Sequence, residues 1–202
     1  MAGLRERKKE QTRQRIAAVA LRMFTERGFD EVTVNEIAEA AEVAKATLFA
    51  YFPTKESLAL HGVGGDDLAG IVARRPADQT FLEALRAHHR AFAAGQIPEA
   101  DLVALIARVR VIQDSPALQN AANGLLYQQR QALAQILANE YGPTAAALMA
   151  AQIAASLLTL QETYFQRLLA GASAKDAGRT LARDIELAFD LLEHGLIHAE
   201  GH

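Results

Sequence analysis

The sequence contains no cysteine, which excludes a disulfide framework, a cysteine-ligated zinc or iron–sulfur centre and a thiol nucleophile. Such a chain suits a reducing cytoplasm. Proline and glycine are sparse, 5 and 13 among 202 residues, so a collagen-like or linker-dominated chain is excluded too. Charged residues make up 22% and hydrophobic residues 50%, a globular balance in a chain long enough to bury about 70% of its unfolded surface. Unbroken apolar runs of the roughly 18 residues that span a bilayer are missing, and the first residues are charged where a signal peptide needs an apolar stretch. The expectation is a soluble, cytoplasmic protein with no membrane partner. Alternation of β-branched and polar residues between turn signals is nearly absent, so no sheet is needed.

What is present is helical spacing. Runs rich in Ala, Leu, Glu, Gln and Arg with three- and four-residue apolar steps predict an all-α fold. Helices are expected over 10–27, 34–41, 45–51, 55 to about 72, 80–94, 99–113, 116–141, 144–170 and 174–197. Gly28 and Gly95 read as stops, Ser115 and Pro116 as N-cap and first helical residue, and Gly142 with Pro143 as a break. No internal repeat is visible at any solenoid period.

The formal net charge of −3 would argue against a nucleic-acid partner if it were evenly spread. It is not. Residues 1–15 carry Arg5, Arg7, Lys8, Lys9, Arg13 and Arg15 against Glu6 and Glu10, whereas the rest of the chain is acidic on balance. Only the N-terminal arm attracts phosphates over a distance.

Just after that arm, Ile16, Val19, Ala20, Met23 and Phe24 form one apolar stripe, and Gly28 ends the helix with Phe29 free to fold back. Thr33 to Glu36 then reads as a capping box, with Val32 and Ile37 at the flanking hydrophobic-staple positions. Ile37, Ala38 and Ala41 make the buried side of a short helix, and Glu42, Val43 and Ala44 turn the chain into a second one, 45–51. Two short helices joined by three residues make a helix-turn-helix. Leu48 and Phe52 should pack beneath the first helix, leaving Lys45, Ala46, Thr47, Phe49 and Ala50 toward solvent. That side has no acidic group and little bulk, so it fits a major groove, where Thr47 can touch base edges or a thymine methyl. Lys45 and Tyr51 then fall near phosphates. Thr54 reads as the N-cap of the next helix, placing Lys55 in its first turn, where amides and ammonium can address one phosphate oxygen.

The run from Thr33 to Leu58, preceded by Phe24 and the Arg27-Gly28-Phe29 helix end, resembles the tetracycline-repressor-like (TetR) transcriptional regulators. The resemblance covers roughly residues 12–60. It implies an all-helical homodimer, with an N-terminal three-helix head on operator DNA and a larger C-terminal domain that dimerises and binds a small effector. It also implies that Thr33, Tyr51 and Lys55 hold phosphates and that Lys45, Ala46 and Thr47 face bases. This chain departs from the family pattern in having Glu42 and Ala46 where Gly is usual, and Phe49 where Tyr is usual. Glu42 suggests a turn that does not need a positive φ; Phe49 has no hydroxyl for a phosphate and is expected to pack on sugar or a thymine methyl.

The domains are read as 1–54, a helix-turn-helix DNA-binding domain with a basic arm, and 55–202, a helical effector-binding and dimerisation domain. The two last helices carry apolar residues around more than one side, among them Leu148, Leu157, Leu168, Leu181 and Phe189, which suits a two-fold four-helix bundle. Polar groups among apolar ones on the middle helices suggest a cavity lined by His88, His89 and Phe92, by Arg108, Ile112 and Gln113, by Tyr127 and Gln131, and by Leu157, Gln161, Tyr164 and Phe165. An enzyme is the first rival. No nucleophile elbow, P-loop or zinc-protease pattern supports it, and the glycines at 62, 64 and 65 lack the lysine of a phosphate loop. They read as an interruption of the helix that follows the head. A metal-responsive regulator is the second rival, since His194 and His198 stand four apart near Glu193 and Glu200, although no metal site and no cofactor is expected. The reading is a ligand-responsive regulator of double-stranded operator DNA, a repressor by resemblance, with an unidentified small-molecule effector and a homodimer through the last two helices.

Overall fold

A computed structural model of the chain describes residues 2–63, 67–95 and 97–195. Among them are ten α-helices and no strand: α1 (Ala2–Arg27), α2 (Val34–Ala40), α3 (Lys45–Tyr51), α4 (Lys55–Ala59), α5 (Leu68–Ala73), α6 (Phe81–Ala94), α7 (Glu99–Gln113), α8 (Pro116–Tyr141), α9 (Pro143–Leu169) and α10 (Ala174–His194). The all-α expectation holds.

Two boundaries differ from the sequence reading. The first helix begins at Ala2 rather than at residue 10, because the arm is itself made of good helix formers and continues a helix that the head already nucleates. The helix expected from residue 55 to about 72 is two, α4 and α5, with the interruption expected from the glycines falling between them. Gly62 between them has φ +78, a conformation that glycine reaches without the penalty of a Cβ. The last helix is described to His194 and closed by Gly195; Ile197, His198 and Glu200 lie outside the described residues.

The chain divides into two compact units, residues 1–64 with 103–123, and residues 65–102 with 124–202. In the first, Ile16, Ala20 and Phe24 of α1 meet Ile37 of α2, Leu48 of α3, Phe52 and Leu58, all withdrawn from water. Val111 and Leu118, from the end of α7 and the start of α8, join the same core. The Phe24 and Phe29 rings lie 5.2 Å apart, so the chain does fold back after Gly28.

The start of α2 is fixed by side-chain chemistry. The Thr33 amide and hydroxyl both donate to the Glu36 carboxylate, at 2.8 and 2.7 Å, while the Glu36 amide donates to the Thr33 hydroxyl at 3.3 Å. Arg27, at the end of α1, adds an ion pair to Glu36 at 2.7 Å and donates to the Glu31 carbonyl. Capping and anchoring therefore share one carboxylate.

In the second unit Leu181, Ile185 and Phe189 recur every four residues along α10 and are buried against α6 and α9. Cross-helix ion pairs border that seam. The Arg86 guanidinium, itself only 16% exposed, meets Asp190 at 3.0 Å and Glu193 at 2.9 Å, and Arg90 pairs with Glu186. Arg167 of α9 reaches Asp184 at 2.7 Å. Among the described residues one helix, α9, is long and apolar enough to cross a membrane by length and composition, and 22% of its most apolar stretch is buried.

The hydrogen bonds from Thr33, then the Arg27 pairing, hold the Glu36 carboxyl at about 2 instead of 4.5. A lowered folded-state value stabilises the head at pH above the ordinary one, and the effect is lost as pH falls toward the folded value. Glu36→Gln should therefore lower the melting temperature at neutral pH, with the gap to the parent closing between about 4.5 and 2. Circular dichroism melts from roughly pH 3 to pH 7 check this; a gap independent of pH would show that the carboxylate is not the stabilising group.

Candidate nucleic-acid interface and ligand cavity

The packing of α3 decides which of its residues remain on the outside. Leu48 and Phe52 are 0% and 1% exposed, so the opposite side of the helix is left outside. Lys45, Ala46, Thr47, Phe49 and Ala50 are all exposed. The Lys45 ammonium lies 5.9 Å from the centre of the Phe49 ring, which is itself 39% exposed. Tyr51 is half-buried and packs on the head core.

The other two residues expected at phosphates are already engaged. Thr33 is exposed, but its hydroxyl proton goes to Glu36. The Lys55 ammonium sits 4.2 Å from the Phe29 ring centre and donates to the Asp30 carbonyl at 3.4 Å. Thr54 caps α4 as expected, its hydroxyl accepting from the Ser57 amide at 3.1 Å while the Ser57 hydroxyl accepts from the Thr54 amide at 3.2 Å. Glu56 stands in the same first turn. Arg13 was not singled out as a contact: its guanidinium lies 5.4 Å from the Phe52 ring centre.

The turn between α2 and α3 corrects the sequence reading. Glu42 has φ +53, whereas a turn without positive φ was expected from the presence of a side chain there. The Glu42 and Val43 amides donate back to the Glu39 and Ala38 carbonyls, a closure that requires the left-handed residue whichever side chain occupies it.

The residues expected to line an effector cavity fall into both units. Arg108, Ile112 and Gln113 are in the first. Ile112 packs on the head core, and Arg108 is half-buried beside Gly62, with burial lowering its pKa. It also depresses the nearby His61, whose ring stands edge-on to Phe52 and is lowered first by its own burial. In the second unit the His88 and His89 rings are 5.3 Å apart, and Phe92 and Tyr164 lie 6.2 Å apart, with Phe165 next at 5.7 Å from Tyr164. The Gln131 amide donates to the Tyr127 hydroxyl at 2.7 Å, while Tyr127 is 54% exposed. Leu157 and Gln161 are half-buried.

A cavity of about 570 Å³ lies within the second unit, and Phe92 and Tyr164 of that expected set line it. Its other walls include Ile97, Lys175, Gly178 and Arg179, none of which sequence reasoning singled out. The signal available was a glycine inside a helix, flanked by two cations. Burial raises the Tyr164 phenol. The candidate metal ligands Glu193 and His194 gather with Asp190 at the surface, but both carboxylates are held by Arg86.

Comparison with known proteins matches both parts of the chain. The family model of bacterial regulatory proteins of the tetR family covers residues 16–61, and that of the MftR C-terminal domain covers residues 79–197. The chain belongs to the TetR family. This TetR-family transcriptional regulator is 34% identical to TcmR of Streptomyces glaucescens over 122 residues, 57% of the chain but only 54% of that protein. It is 27% identical to the putative mycofactocin biosynthesis regulator MftR of Mycobacterium tuberculosis over 94% of the chain and 93% of the relative. Among solved structures, NalD, the secondary repressor of the MexAB-OprM efflux pump in Pseudomonas aeruginosa, shares the fold with a TM-score of 0.56 at 18% identity, over 93% of this chain and 97% of NalD.

Relieving the left-handed Glu42 should stabilise the head. Glu42→Gly is expected to add about 0.5–1 kcal/mol, the cost of a Cβ in that conformation less the extra freedom of glycine when unfolded. An unchanged urea midpoint would show that Glu42 is not strained.

Proposed function

We propose that this regulator is a homodimeric repressor that holds a palindromic operator and leaves it when a small organic effector binds the C-terminal domain. The observation that carries the reading is the exposed, acid-free side of α3, Lys45 to Ala50, mounted on a fully buried Leu48. Such a side can enter a major groove closely, with Thr47 as the base reader and Lys45 toward phosphates. The arm supports it. Arg7, Lys8, Lys9, Arg13 and Arg15 are all exposed along α1, adding cations whose phosphate contacts release counterions.

Dimerisation is supported by what one chain leaves uncovered. Most of the apolar stretch of α9 is unburied within the chain, and Leu148 and Leu187 are 62% and 58% exposed. A second copy packing α9 and α10 against their equivalents would cover them. Two α3 helices must then stand about 34–36 Å apart to reach successive major grooves. An effector that favours another spacing releases DNA, and a coupling of roughly 1–3 kcal/mol changes affinity about 5–150-fold.

Duplexes selected from a random library provide the operator for the test. Lys55→Ala should weaken binding to every sequence alike and reduce the salt slope by about 1, since an ammonium released from Phe29 would meet a phosphate. Thr47→Ala should leave the slope alone and shift base preference at one position by about 1–3 kcal/mol. Were both variants to keep the parental slope and preference, this placement of α3 on DNA would be wrong. Leu148→Glu combined with Leu187→Glu should sediment as a monomer and lose cooperative operator binding; a variant that stays dimeric would move the interface elsewhere.

A further inference from the structure

The cavity of about 570 Å³ in the second unit lies between the last turn of α6 and the first two turns of α10, with Tyr164 of α9 in its wall. We propose that it binds a small aromatic carboxylate. As the effector site this rests on the reading of the C-terminal domain given above; as a binding site it stands on its own geometry.

Size is the first argument, since cavities of roughly 300–1,000 Å³ take ligands of this class. The aromatic wall is the second. Phe92 is 52% exposed although large and apolar, and it meets Tyr164 edge-on at 75°. A planar apolar ring set against it would cover surface that the chain leaves in water. Charge is the third. In a chain of net −3, the charged side chains lining this cavity are Lys175 and Arg179, both basic. Asp176 neutralises Arg179 and takes the Ser173 hydroxyl, which leaves Lys175 without an ion pair among the described residues. One ammonium without an ion pair at the rim of an apolar groove suits a monoanion better than a phosphate or a neutral ring. Gly178 is the fourth. A Cβ there would stand 3.2 Å from the Ala93 carbonyl oxygen, so a side chain would press on α6 at the wall of the groove. Glycine inside a helix is otherwise unfavourable.

The test uses the full-length protein and 2-naphthoate, with 2-naphthalenemethanol as its neutral match. The chain has no tryptophan, so naphthalene emission reports binding directly, and calorimetry confirms it. Saturable binding is expected, with naphthoate preferred about fivefold or more over the alcohol. Lys175→Glu, at an exposed position that leaves the fold alone, should abolish that preference, and Phe92→Ser should weaken both ligands. Absence of saturable binding, equal affinity for the two ligands, or binding untouched by either substitution would overturn the proposal. Operator occupancy on the same samples separates the two readings. Naphthoate bound in the groove with the operator retained upholds the site and rejects its role in release; release without dependence on Lys175 or Phe92 upholds ligand-responsive repression and rejects this site.

Discussion

The withdrawal of Leu48 and Phe52 from water is the constraint on which the side of α3 proposed to meet DNA depends. A seven-residue helix has too few internal hydrogen bonds to stand alone, so the orientation of α3 is set by what it buries. Once those two side chains meet Ile16, Ala20, Phe24 and Ile37, the exposed side is fixed at Lys45, Ala46, Thr47, Phe49 and Ala50. The lock at Thr33, Glu36 and Arg27 serves the same end from the other direction. It fixes where α2 begins and ties that point to the end of α1, leaving the short pair little freedom to rotate as a unit.

Most of the head was legible because its signals are local. A capping box needs four consecutive residues, and a buried stripe needs only a three- and four-residue rhythm, so the boundaries of α2 and α3 could be read within a residue. What escaped the sequence required knowledge of the closed chain. Glu42 is held at positive φ by backbone bonds to Ala38 and Glu39, a closure that outweighs the local preference of its side chain. Val111 and Leu118 enter the core of the head from nearly sixty residues further along, beyond any local rule. The contact of the Lys55 ammonium with the ring of Phe29 likewise joins residues that no local rule pairs.

The second unit shows the same division. The spacing of Leu181, Ile185 and Phe189 announced a buried stripe, and the structure buries all three. The groove was harder to see, because its walls come from segments near residues 92–97 and 174–182 that nothing in the sequence pairs. The ionic contacts of Arg86 and Arg90 are equally silent, since their partners stand about a hundred residues away. A guanidinium that is 16% exposed and shared among the carboxylates of Glu186, Asp190 and Glu193 is screened less by salt than an ordinary surface pair. The α6–α10 seam should therefore keep its register over a wide range of ionic strength.

The arm has one further consequence. Because α1 runs unbroken from Ala2 to Arg27, its 26 residues form a stiff rod about 39 Å long, whose outer end bears most of the positive charge. A flexible tail would only be pulled toward a polyanion, whereas a rigid lever also transmits torque to the body that carries it. Approach to a duplex would thus turn the head before the two surfaces touch, so that fewer encounters are wasted in the wrong orientation.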